Sequence, residues 1–171
     1  MLNCKKLLTG AAIILLMVNI VFMLGYIFIW YQNYFHSDSA AKVLLANEIL
    51  DTGYFFFFFF NYVNSYLFVL FVYVFIIPFL SHIPAGYTAH AISGSIFAGL
   101  ILYGVWLVSS IGNIQVWQRL AAVAVIASGI SGFMTENLYG QVSYGAVFFF
   151  CLYIVYFSDK ILSTQTKWKF F

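Results

Sequence analysis

The sequence predicts an all-α protein built as a polytopic membrane helical bundle. Two observations carry this prediction. The chain of 171 residues is 64% apolar and only 7% charged, whereas soluble domains contain about 25% charged residues. It also contains several uncharged runs close to the roughly 20 residues that an α-helix needs to cross a bilayer. The seven lysines and arginines are too few and too scattered for a nucleic-acid-binding face, so nucleic acid is excluded as a partner.

The first apolar run, residues 7–31, is predicted to be a retained transmembrane helix. It is longer than the roughly 7 to 15 apolar residues of a signal peptide, and it ends in Trp30 and Tyr31 rather than at a small-residue cleavage site. Lys5 and Lys6 precede the run, and positive charges favour the cytoplasmic side. We therefore expect the amino end in the cytoplasm.

The later basic residues decide between four and five crossings. Five crossings would place Arg119, Lys160, Lys167 and Lys169 outside, against the positive-inside rule. If the apolar segment 62–80 stays on the outer side, as a re-entrant or interfacial segment, all four become cytoplasmic. Pro78 and Pro84 fall at the end of this segment, where a chain that turns back must stop a helix.

We therefore expect four transmembrane helices in a single membrane domain, with five as the alternative. The carboxyl end, like the amino end, is then cytoplasmic, and the lipid bilayer is the first partner. A bacterial-type inner (plasma) membrane is the expected location. The predicted segments are helices at 7–31, 87–110, 117–134 and 142–158, an outer loop at 32–86 and a cytoplasmic tail at 159–171.

The outer loop contains a predicted amphipathic helix at residues 39–51, which we expect to lie along the membrane surface. Its polar arc holds Glu48 and Asp51, and Lys42 falls in the apolar arc, where its long stem could snorkel to water. Gly53 is placed to stop the helix. The apolar arc is Val43, Leu45, Ala46, Ile49 and Leu50.

Two acidic residues are candidates for chemistry because four crossings put both on the outer side. Asp38 follows the first helix, and Glu136 lies in the second outer loop, 135–141. Asp38 has a structural interpretation as a helix N-cap paired with Lys42 one turn later, and Glu136 could mark a helix end. His90, inside the second predicted span, is either a functional group or a neutral imidazole that hydrogen-bonds between helices.

Five short motifs together resemble the amino-terminal part of the GT-C superfamily of integral membrane glycosyltransferases. This superfamily includes the protein O-mannosyltransferases and the lipid A aminoarabinose transferases. The motifs are His36-Ser37-Asp38-Ser39-Ala40, Leu44-Leu45-Ala46-Asn47-Glu48-Ile49-Leu50, Thr52-Gly53, Asn61-Tyr62-Val63-Asn64 and Gly140-Gln141-Val142-Ser143-Tyr144-Gly145.

The resemblance implies transfer of a sugar from a polyprenyl-phosphate carrier on the outer face. Asp38 occupies the place of the acid that serves as catalytic base or positions the acceptor, and His90 that of a basic group near the carrier phosphate. Glu136 is the second catalytic candidate, either orienting substrate or joining Asp38 at a divalent cation. The substrate-binding candidates are His90, His36, Asn61 and Asn64.

The chain departs from the superfamily in having fewer spanning helices than its catalytic module. We therefore expect a truncated or split relative, active only if an additional membrane subunit or a second copy completes it. The alternative is a non-catalytic small membrane protein, an assembly partner or a degenerate relic. A transporter is disfavoured, because His90 and Arg119 are the only ionisable groups expected within the crossing helices.

Overall fold

The computed structural model describes residues 2–35, 37–54, 74–112 and 114–168, and helices joined by turns make up this part of the chain, with no strand in it. The helices, in chain order, are α1 (Leu2–Gly25), the π-helical turn π1 (Tyr26–Trp30), a 3-10 turn (Tyr31–Tyr34), α2 (Ser37–Thr52), α3 (Ile77–Leu80), α4 (Tyr87–Val108), α5 (Val116–Ala127), α6 (Gly132–Thr135), the π-helical turn π2 (Glu136–Gly140) and α7 (Ser143–Trp168).

Three helical stretches are long and apolar enough to cross a membrane: Cys4–Tyr34, Tyr87–Val108 and Tyr144–Thr164. A fourth crossing is obtained if the bent pair Val116–Ala127 and Gly132–Gly140 counts as one broken span. The two halves of this pair meet at 91°. The prediction of an all-helical integral membrane protein is thus confirmed, with three spans or up to four.

The single helix expected over residues 117–134 is interrupted in the structure. α5 ends at Ala127, and the next residues include Gly129 and Ile130 with positive φ angles of 72° and 58°, a conformation that stops a right-handed helix. Ser131 then caps α6, its hydroxyl accepting a hydrogen bond from the Met134 amide at 3.2 Å. The 12 residues of α5 extend only about 18 Å, less than the roughly 30 Å of a bilayer core.

The helices pack in two parallel pairs that run in opposite directions, with an apolar core between the pairs. α1 lies against α5, where the Asn19 side-chain amide donates to the Ala124 carbonyl at 2.8 Å. α4 lies against α7, where Gly104 lets the helices approach: a Cβ there would lie 3.0 to 3.2 Å from side-chain atoms of Tyr153 and Leu152. The buried core between the pairs consists of Met23, Ile27, Ala91, Ala98, Leu102, Val105, Val123, Ala127, Leu138 and Tyr139.

The predicted surface helix exists, but its apolar face contacts protein. α2 buries Val43, Ala46 and Ile49 against Ile76, just before α3, and Ala89 in the first turn of α4. The chain around α3 covers these residues, and the expected position of the helix along the membrane surface stays a prediction.

Three residues of α2 differ in detail from expectation. Lys42 is buried and points inward instead of snorkelling to water, whereas Leu50, expected in the apolar arc, is exposed. Asp38 lies within the first turn, one residue after the helix begins at Ser37, so it is not the N-cap. Of the predicted apolar segment 62–80, residues 74–80 are described and the remainder lies outside the described residues.

The two ends of the bundle carry different groups. α4 begins beside the end of α1, where the Tyr87 hydroxyl donates to the Ile27 carbonyl; we call this the site end. α5 begins beside the end of α4, where the Arg119 guanidinium donates to the Trp106 carbonyl at 2.9 Å; we call this the basic end. The helix directions put Lys5, Lys6 and Lys160 at the basic end with Arg119.

Candidate functional site

The candidate site is built on the carbonyl end of the broken helix. The last carbonyls of a helix have no partner within it, and at membrane depth such groups must be satisfied by other parts of the protein. π2 ends at Gly140, whose carbonyl accepts a hydrogen bond from His90 Nε2 at 3.0 Å. The next carbonyl, that of Gln141, accepts one from the Lys42 ammonium. Two side chains, from α4 and α2, therefore cap the broken helix from outside.

Lys42 has a physical reason to be buried. Only 4% of its surface is exposed, and an unpaired ammonium at that depth would be strongly destabilising. The carboxyl end of a helix carries partial negative charge, which favours a cation there. The ammonium thus replaces its lost hydration with a charge-assisted bond to a helix end. This bond also fixes α2 against π2.

His90 lies in an aromatic enclosure at the same turn. Its ring stacks on Tyr31 with centroids 5.9 Å apart, and the rings of Phe35 and Tyr87 lie at 5.3 and 6.4 Å. A carbonyl oxygen can only accept a hydrogen bond, so the contact with Gly140 assigns the proton to Nε2. The imidazole is therefore an interhelical hydrogen-bond donor, as one of its two sequence interpretations expected.

Tyr31 connects the end of α1 to both other elements of the site. Its hydroxyl shares a buried hydrogen bond of 2.8 Å with the Ser39 hydroxyl in the first turn of α2. Its ring covers Gly140, where a Cβ would lie 2.5 Å from the Tyr31 Cε2 atom. Only glycine permits this approach of backbone to ring.

Glu136 belongs to the same turn. Its carboxylate accepts a hydrogen bond from the Gln141 side-chain amide at 3.1 Å, while the Gln141 carbonyl holds Lys42. The first turn of α2, which contains Asp38, is attached nearby through Ser39 and Tyr31. The elements that carry the two predicted catalytic acids therefore meet at the site end. The Asp38 side chain is outside what the structure describes.

The other predicted site residues differ in whether the structure describes them. His90 is in the site, whereas His36, Asn61 and Asn64 lie outside the described residues. Sequence reasoning assigned no site role to Lys42, Tyr31, Ser39 and Gln141. One signal was available: Lys42 is a charged residue in the middle of an apolar arc, and such residues at membrane depth are functional candidates by default.

A divalent cation does not fit the described part of this site. Within residues 2–35, 37–54, 74–112 and 114–168, no group of three or more histidine, cysteine, aspartate or glutamate residues could hold a metal ion. The turn offers one carboxylate, Glu136, and the ammonium of Lys42 already occupies the adjacent carbonyl. Its positive charge opposes a second cation at close range.

Comparisons of this chain with protein-family models, with curated proteins and with solved structures gave no match.

Proposed function

We propose that this chain is part of a membrane glycosyltransferase of the GT-C type, which transfers a sugar from a polyprenyl-phosphate carrier. The observation that carries the proposal is the junction of α2 with π2. Lys42 donates to the Gln141 carbonyl, and Gln141 in turn donates to Glu136. This junction supports a common location for Asp38 and Glu136, which the proposed chemistry requires.

The charge distribution supports an outer location for the site. The basic end holds Lys5, Lys6, Arg119 and Lys160, and positive charges favour the cytoplasm. The site end then faces outward from a plasma membrane of bacterial type, with both chain ends inside. α2 packs against the first turn of α4. Both helices therefore lie at the site end of the bundle. This supports four crossings, because one further crossing between them would separate the two.

Each polar group has a role in the proposed reaction. Asp38 accepts the proton of the acceptor hydroxyl as general base, and Glu136 orients the substrate. Lys42 brings positive charge near the carrier phosphate, where it stabilises the leaving group. His90 lies beside it, with its Nε2 proton bonded to the Gly140 carbonyl. His36, Asn61 and Asn64 are proposed substrate contacts from the motifs that they occupy.

Additional helices are part of the proposal. The apolar windows of the first and last spans are only 17% and 11% buried within the chain. Those surfaces can face lipid, and they also offer room for another membrane subunit or a second copy. We propose that such a partner completes the cavity for donor and acceptor.

The test is sugar transfer by membranes that contain the full chain together with its co-purifying membrane proteins. Radiolabelled polyprenyl-phosphate-linked hexoses and pentoses serve as donors. Asp38→Asn should lower transfer at least about a hundredfold, the scale of losing a general base. Glu136→Gln should also lower transfer, through the lost orientation of the substrate. Asp51→Asn is the matched control, because Asp51 is exposed and accepts a bond from Asn47 on its own helix at 2.8 Å. Transfer by both site variants at the wild-type rate would contradict the proposal.

A second candidate function is a non-catalytic assembly partner. It is favoured by one specific observation: Lys42 and His90 Nε2 both bond to backbone carbonyls, as helix-capping groups would in a purely structural cluster. If the chain is only an assembly partner, we expect Asp38→Asn to leave every phenotype unchanged. Cross-linking from the exposed faces of α1 and α7 then captures a membrane protein that depends on this chain for its accumulation.

A further inference from the structure

Two buried polar atoms on α4 have no hydrogen-bond partner in the part of the chain that the structure describes. They are His90 Nδ1 and Ser93 Oγ, and their residues are only 2% and 1% exposed. His90 and Ser93 are three positions apart on one helix, so they share a face. Buried polar atoms in native proteins almost always have a partner, either protein or ordered water.

The chemistry of the two atoms is complementary to one small ligand. Because Nε2 carries the proton that bonds to the Gly140 carbonyl, Nδ1 of the neutral ring is an acceptor. The Ser93 hydroxyl can donate and accept. The two do not bond to one another. A ligand that donates to Nδ1 and accepts from Ser93 satisfies both, and water is the smallest molecule that can do so.

The face of α4 beside these atoms lies close to a backbone carbonyl of π2, which is a further acceptor. Gly94 follows Ser93 and faces π2: a Cβ at this position would lie 3.6 Å from the Tyr139 carbonyl oxygen. Buried waters typically bond to two to four polar groups, and this face offers two side-chain atoms with a carbonyl nearby.

We propose that a water molecule bridges His90 Nδ1 and Ser93 Oγ between α4 and π2. It donates one hydrogen to Nδ1 and accepts the hydrogen of Ser93. Because Nδ1 accepts a hydrogen bond from the water, it stays unprotonated. The imidazole proton then stays on Nε2, where it caps the Gly140 carbonyl. Ser93 is thus a positioning residue for His90, acting through the water. This water site does not depend on sugar transfer.

The experiment uses the full chain in lipid nanodiscs with its histidines labelled with ¹⁵N. Solid-state NMR at neutral pH reads which ring nitrogen of His90 is protonated, and transfer of magnetisation from water reads its hydration. Loss of signals in His90→Gln assigns the ring. We expect Nε2 to be protonated and Nδ1 to be unprotonated. We also expect clear transfer of magnetisation from water to Nδ1. Ser93→Ala should lower that transfer several-fold.

Two further variants make the result decisive. Ser95→Ala is the matched control, because the Ser95 hydroxyl on the same helix already donates to the Ile92 carbonyl at 2.7 Å; it should leave the His90 signals unchanged. Ser93→Thr keeps the hydroxyl and should keep the water signal. The proposal is overturned if the proton is on Nδ1, if the wild-type ring receives no transfer from water, or if folded Ser93→Ala retains the full transfer. Should Ser93→Ala not fold, the wild type and Ser93→Thr decide by the same signals.

Discussion

At the scale of single residues, Lys42 and His90 hydrogen-bond to the free carbonyls of a helix end, as water does at the end of a helix in a soluble protein. They bring donors from α2 and α4 to the carbonyls of Gln141 and Gly140. A break in a membrane helix is tolerated where neighbouring side chains satisfy the freed backbone groups. The polar cluster therefore has a structural role whether or not it also binds a substrate.

Lys42→Met should destabilise the protein by about 2 kcal/mol, the scale of losing a buried hydrogen bond that involves a charge. Methionine keeps the apolar stem but leaves the Gln141 carbonyl without the ammonium. The measurement is unfolding in mixed micelles, followed by circular dichroism. Lys160→Met is the control, since Lys160 is exposed and lies over the Tyr156 ring at 5.3 Å. Equal stability of the two variants would contradict a capping role for Lys42.

Gly140→Ala should destabilise by about 1 to 3 kcal/mol, the usual cost of an added methyl group in a packed site. The new Cβ would lie 2.5 Å from the Tyr31 ring, so the ring must move and its bond to Ser39 weakens. Gly99→Ala is the matched control, because a Cβ there meets nothing within 4 Å; alanine should be neutral or slightly stabilising in that helix. The same unfolding measurement compares the two, and a harmless Gly140→Ala would show that the close contact is unimportant.

At the scale of elements, the interruption between α5 and α6 determines the site. The chain turns by 91° at this interruption, and π2, whose carbonyl end lies beside α4, follows the turn. The turn residues Gly129, Ser131 and Gly132 were visible in the sequence, but the apolar composition of the run favoured a continuous span. The positive φ angle of Ile130 could not be read from sequence, because β-branched residues rarely adopt it.

Asn19→Leu tests how α5 is held despite its short length. The Asn19 amide donates to the Ala124 carbonyl, and interhelical hydrogen bonds in membranes contribute about 0.6 kcal/mol on average. We expect a loss of stability on that scale, with α5 the first segment to gain amide exchange. Met17→Leu, at an exposed position of the same helix, should change neither. Unchanged exchange in α5 would contradict this pairing.

At the scale of the whole molecule, composition predicted the all-helical, membrane-spanning class. α2 was also predicted, with its bounds close to those observed. The surroundings of this helix could not be predicted, because the residues that it contacts, Ile76, Ala89 and Gln141, lie far along the chain. His90 was found as an ionisable group inside a span, but its partner, the Gly140 carbonyl, follows only from the break. Asp38 and Glu136 were identified by position, and their chemical roles stay predictions.

We propose that the site end faces outward and the basic end faces the cytoplasm. Single cysteines at Ala85 and Gln115, in a chain with Cys4→Ser and Cys151→Ser, are labelled in intact cells by a membrane-impermeant maleimide. Both positions are exposed in the protein and lie at opposite ends of the bundle. We predict labelling at Ala85 from outside and at Gln115 only after the membrane is opened. Labelling of Gln115 from outside would contradict the orientation and remove Glu136 from the outer face.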